Sequence, residues 1–174
     1  MKKVTSILLI CFIISTVLTG CSTQTEPQKQ TSSTTVTTMI GNPWSNCDSI
    51  EEAESVTGFE FGLSAAIGDS YNAVTIRTMK NELIEVVYSN GDVEVCIRKQ
   101  KGEGQDISGD YNNYETCTET DFDCGGTLIE YTNSDNKALK QLISYNGFSW
   151  SLVALDGYSE LSDMDLVNMI LEQK

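Results

Sequence analysis

The sequence predicts an α+β domain: a single antiparallel, meandering sheet of about six to seven strands, with an N-terminal and a C-terminal helix packed on one of its faces. Three observations predict it. Alternating apolar and polar runs are joined by Asn-Gly turns at Asn90-Gly91 and Asn146-Gly147, the strongest short-range signal for hairpins. Helical spacing of apolar residues occurs only near the two ends of the folded part. The connections are short, which favours antiparallel neighbours. A small closed barrel is the second choice.

The elements follow in order. Residues 1–20 read as a secretory signal. Lys2 and Lys3 precede an apolar run, Ile7 to Leu18, that is too short and too abruptly ended for a transmembrane helix. It closes on Leu18-Thr19-Gly20-Cys21. Residues 21–41 are Thr, Ser and Gln with almost no large apolar side chain, a composition that cannot offset the entropy of ordering. As a coil of about 20 residues this tether spans on the order of 25 Å.

Residues 42–174 form the globular domain. Asp48 or Ser49 caps a helix with Glu51 and Glu52 in its first turn, an apolar stripe of Ile50, Ala53 and Val56, and a stop at Gly58. Phe59 and Phe61 alternate as a lead-in to the core. Strands follow at Ala73 to Met79 and at Leu83 to Tyr88. The turn Ser89-Asn90-Gly91-Asp92 then leads to a strand with Val93, Val95 and Ile97 inward. Residues 100–113 are a long polar loop with three glycines. Strands resume near 115–123 and 127–132, joined at Gly125-Gly126. A last hairpin pairs Lys140 to Tyr145 with Trp150 to Leu155. Ser162 with Asp165 resembles a capping box for a final helix with Leu166, Val167, Met169, Ile170 and Leu171 as its apolar face.

Composition excludes several functions. The chain has 174 residues, 11 Lys and Arg, 25 Asp and Glu, and no His, for a net charge of −14. Without histidine there is no Ser-His-Asp or Cys-His mechanism and no imidazole zinc site. The acidity disfavours nucleic acid, which needs clustered Lys and Arg, and disfavours electrostatic docking on anionic lipid. Loss of Lys2 and Lys3 with the signal makes the product more acidic still.

Four cysteines remain beyond the signal and Cys21: Cys47, Cys96, Cys117 and Cys124. They form no Cys-x-x-Cys, and three disulfide connectivities are open. With Val95 and Ile97 inward, Cys96 faces outward; with Phe122 inward, Cys117 does too. If their strands are neighbours, Cys96 pairs with Cys117 and Cys47 with Cys124. Free thiols are the alternative.

The segment around Asp106, Ser108, Asp110 and Asn112 presents oxygen side chains at alternate positions, as a Ca²⁺ loop does. Its glycine is at the fourth place and its twelfth residue is Cys117, so turns held by Asp and Ser side chains are the competing reading. Glu51-Glu52 and Asp163-Asp165 fall in first turns of helices, where capping accounts for them without two-carboxylate catalysis.

The Leu-x-Gly-Cys order at residues 18–21 resembles the bacterial lipobox. That resemblance implies cleavage before Cys21 and a diacylglycerol on its thiol, with palmitate-like chains as a membrane anchor. Asn42-Pro43-Trp44 with Cys47, Asp106-Ile107-Ser108-Gly109-Asp110-Tyr111-Asn112, and the Trp150 hairpin followed by Leu161-Ser162 together resemble a group of lipoproteins from gut-dwelling Gram-positive bacteria. The C-terminal half is more weakly similar to a domain of unknown function on the outer side of anti-sigma-factor-like membrane proteins. Cys117 and Cys124 are additions to that pattern. The resemblance implies location and fold, and a lean toward sensing or binding. The expectation is therefore a non-enzymatic binding or sensing module on the outer face of the plasma membrane. It would hold no cofactor, would take an unspecified protein or small ligand as partner, and would touch the membrane through its anchor alone. A carrier of an apolar ligand or a lipoprotein chaperone is one alternative, and a carboxylate- or metal-dependent enzyme is another.

Overall fold

A computed structural model of the chain describes residues 41–133, 139–154 and 166–172. The chain divides into Met1–Thr38 and Met39–Lys174, and every described core residue belongs to the second unit. The expected signal, Cys21, the tether up to residue 40 and the Ser162–Asp165 cap lie outside the described residues. Among those residues, no helix is long and apolar enough to cross a membrane.

The described elements are β1 (Trp44–Asn46), α1 (Ile50–Thr57), β2 (Ala66–Ile67), β3 (Tyr71–Met79), β4 (Leu83–Ser89), β5 (Glu94–Lys101), β6 (Thr116–Asp121), β7 (Thr127–Thr132), β8 (Leu139–Tyr145), β9 (Phe148–Ala154) and α2 (Leu166–Leu171). The strands form one antiparallel sheet in the order β1-β3-β4-β5-β9-β8-β7-β6, with β2 also paired to β3. The Asn90-Gly91 and Asn146-Gly147 hairpins are present as expected. Asn90 Oδ1 accepts from the amides of Asp92 (3.0 Å) and Val93 (2.8 Å). Asn146 and Gly147 both take positive φ, 52° and 82°, as a type I′ turn requires.

Two features differ from the expected plan. There is more sheet and less helix: nine strands are described beside helices of eight and six residues. The additional strands β1 and β2 are three and two residues long, too short to show alternation. The second difference is the strand order. The chain meanders through β3, β4 and β5, leaves for the far edge at β6, and steps back through β7 and β8 until β9 pairs with β5. β5 and β6 therefore run in the same direction, and residues 102–115 must cross the sheet to join them. β1 and β6 end the order unpaired to each other, so the described sheet is open and not the closed barrel.

One face of the sheet makes the core. The register stacks Tyr88 on Val95 on Ala154, and Val86 on Ile97 on Leu152, all buried. Ile50 and Ala53 of α1, Leu166 and Ile170 of α2, and Phe59, Phe61 and Leu63 complete the same cluster. Each fully buried side chain of this kind contributes roughly 1.5–3 kcal/mol. α1 is built as its sequence dictates. Ser49 Oγ accepts from the Glu52 amide at 3.2 Å, and Gly58 at φ 70° returns its N–H to the Glu54 carbonyl. Its buried stripe is Ile50, Ala53 and Thr57; Val56, expected on that stripe, is turned outward.

Lys99 is the unusual member of the core face. Its ammonium donates to the carbonyl of Glu60 (2.6 Å) and lies 4.4 Å from the ring centres of both Phe148 and Trp150. Burial pulls its pKa from 10.5 down to about 8, against the opposing carboxylates of Glu54 and Glu60. Between those two values the unfolded chain holds a proton that the folded chain has released, so this group makes stability rise with pH across the window. Denaturant unfolding at pH 7 and pH 9.5 should therefore show a gain in the parent chain that shrinks in Lys99→Met. An equal gain in both would place the effect elsewhere.

Candidate functional site

The opposite face of the sheet is built differently. Strand alternation places Trp44, Arg77, Glu85, Arg98, Ser151, Leu142 and Ile129 on it. At its β3–β5 end Glu85 is fully buried and paired with both neighbours, Arg77 and Arg98, the latter at 2.7 Å. The Trp44 ring covers the two guanidinium groups, with the Arg77 Cζ 4.2 Å from its centre and that of Arg98 at 5.4 Å.

Arg98 also secures the crossover. Its Nη1 donates to the Ile107 carbonyl at 2.9 Å. An ideal Cβ on Gly109 would sit 2.2 Å from that same nitrogen, and Gly109 has φ +64°, so a larger residue would have to displace the Arg98 guanidinium and hold a backbone that favours glycine. Serines of the sheet hold the preceding stretch. The Gly104 amide donates to Ser144 Oγ (2.9 Å) and the Gln105 amide to Ser149 Oγ (3.1 Å), while Ser149 donates to the Gly102 carbonyl. The crossover thus lies along this face as a strap.

Between strap and sheet is a cleft of about 220 Å³. Gly104, Gln105 and Asp106 form one wall, Ile129 and Leu142 the apolar part, and Thr127, Tyr131 and Ser144 the rest. At one end Lys140 Nζ pairs with Asp106 Oδ2 at 3.3 Å and lies 4.4 Å from the Tyr131 ring centre. Burial alone would raise the Asp106 carboxyl. The Ser108 hydroxyl and amide and the Lys140 ammonium outweigh it and hold Asp106 below its ordinary value. Burial and then the Asp110 carboxylate push the Tyr114 phenol up, and Tyr114 donates to Asp110.

The oxygen side chains of the predicted loop are occupied locally. Asp106 Oδ1 accepts from the Ser108 amide (3.0 Å) and hydroxyl (2.6 Å), Ser108 Oγ from the Asp110 amide, and Asp110 Oδ1 from the Asn112 amide. These are the side-chain-to-backbone turns that compete with a Ca²⁺ loop. Among the described residues no group of three or more Cys, Asp or Glu gathers as a metal set.

The expected disulfide pairing is corrected. Cys47, Cys96, Cys117 and Cys124 are free thiols. Cys96 and Cys117 do face the same side, but β9, β8 and β7 stand between β5 and β6. Four strand spacings put them about 19 Å apart along the sheet, far beyond disulfide reach. Cys47 follows β1 at one end of the order and Cys124 lies in the β6–β7 turn at the other. Burial pushes the Cys96 thiol up to about 12, with Glu85 adding to it.

Sequence reasoning placed Asp106 but missed the rest of the cleft. A signal was there: Leu128-Ile129 and Leu142-Ile143 are consecutive apolar pairs in alternating strands, which mark a sheet covered on both faces. A second hollow, of about 330 Å³ and lined by Glu103, Cys124, Gly125, Gly126, Tyr145 and Asn146, is larger but formed by turns without an apolar floor. No family model, curated protein or solved structure matches the chain.

Proposed function

We propose that the protein is a lipid-anchored, non-enzymatic binding or sensing module held on the outer face of the plasma membrane, and that the cleft beneath the strap is its binding site. The observation that carries this reading is the cleft itself: an apolar floor, fixed polar walls and a roof tied down at several points. The chemistry at its edge favours binding over catalysis. A general acid needs a raised pKa, whereas Asp106 is held down and engaged by Ser108 and Lys140. The size favours a small ligand over an acyl chain, since about 220 Å³ lies below the usual range for drug-sized ligands. The anchor rests on the lipobox order at Leu18 to Cys21, and the tether gives the module reach.

The site is tested with benzyl alcohol as a neutral probe on the ¹⁵N-labelled chain. Amide shifts should concentrate at residues 104–106, 127–131 and 142–144. Shifts confined to the other face of the sheet would overturn the assignment.

A further inference from the structure

The cleft has a charge as well as a shape. In an antiparallel pair, residues directly opposite share a face. Glu119 stands opposite Ile129, and Asp121 opposite Thr127, so two carboxylates of the exposed edge strand β6 flank two lining residues. Asp106 lies across the cleft on the strap, but its charge is answered by Lys140, so the uncompensated charge at the rim is that of β6. Of the described basic groups on this face, Lys140 is taken up by Asp106 and the rings of Tyr131 and Tyr114, and Arg77 and Arg98 are taken up by Glu85. None of the lining residues is basic. Tyr131 registers this environment: burial first, then Cys117, Asp106 and Glu119, push its phenol up. Its ring already accepts one ammonium, that of Lys140, which shows the geometry that cation–π contact takes here.

An apolar floor beneath an acidic rim selects for one ligand chemistry. We propose that the cleft takes a small organic cation, with its apolar body on Ile129 and Leu142 and its ammonium group toward Glu119 and Asp121. This rests on the cleft being the binding site. The net charge of −14 adds a long-range field that draws cations toward the domain and repels anions.

Three probes of similar shape separate the claims: phenethylammonium, 2-phenylethanol and phenylacetate, titrated into the ¹⁵N-labelled chain at pH 7. The cation should bind about tenfold more tightly than the anion, with the alcohol between, as expected for one charge near partly solvated carboxylates. Glu119→Gln with Asp121→Asn, both on the exposed edge, should bring the cation close to the alcohol, and added salt should weaken the cation alone. If the three probes bind alike at the cleft, or the anion binds best, the inference fails while the binding site stands. If none of the three shifts the cleft amides, the site assignment fails with it.

Discussion

Glu85→Ala should cost about 3–5 kcal/mol of folding stability, the range seen when one partner of a buried ion pair is removed. Glu85 is fully buried and answers two arginines at once. Its loss would leave Arg77 and Arg98 beside each other under the Trp44 ring with no counter-charge. Arg98 would then be freer to leave the Ile107 carbonyl, so the strap over the cleft would loosen in step with the loss of stability. Glu85→Gln keeps hydrogen-bond acceptance at one oxygen and should fall between the parent and Ala. Replacing Arg77, Glu85 and Arg98 together by apolar residues should recover much of the loss, because the desolvation cost of all three charges is removed with them. Guanidinium denaturation of the set is the measurement. A loss below about 1 kcal/mol for Glu85→Ala would mean that the cluster behaves like an exposed pair.

Cys21→Ala should abolish membrane retention. The proposed anchor is a diacylglycerol on the Cys21 thiol, and each buried CH₂ contributes about 0.8 kcal/mol. Two such chains hold the domain firmly, whereas a net charge of −14, with one Glu and one Lys in the tether, disfavours electrostatic attachment to an anionic surface. Fractionation of cells producing the parent and the variant checks this. The parent should sediment with membranes and the variant should be released. Retention of the variant would place the attachment outside the lipobox.

Local structure was legible wherever local physics decides it. The caps of α1, the Asn-Gly hairpins and the inward set of β5 all follow from turn chemistry and alternation. What alternation cannot supply is neighbourhood. It placed Cys96 and Cys117 on one face correctly, yet gave no information on the three strands between them. That order depends on β9 returning to pair β5, a contact between residues some fifty positions apart in the chain. The polar segment 100–113 had the composition of an excursion into solvent. It lies along the sheet instead because Arg98, Ser144 and Ser149 offer it partners, and its own Asp and Ser residues satisfy the backbone that a covering segment must bury. The cleft exists only once strap and strands are brought together, so Asp106 could be singled out from the sequence while Ile129 and Leu142 read as ordinary strand residues. The negative charge, first an argument against nucleic acid and lipid headgroups, gains a location: part of it flanks the cleft through Glu119 and Asp121 of β6.

The binding claim is met most directly by filling the cleft. Ile129→Trp places a large side chain where the apolar floor opens to the strap, at a position only partly buried, so the fold should tolerate it. Benzyl alcohol titrated into ¹⁵N-labelled parent and variant should shift amides at 104–106 and 142–144 in the parent and leave them unmoved in a variant of unchanged thermal stability. Equal shifts in both would show that the probe binds elsewhere and that the cleft is not the site.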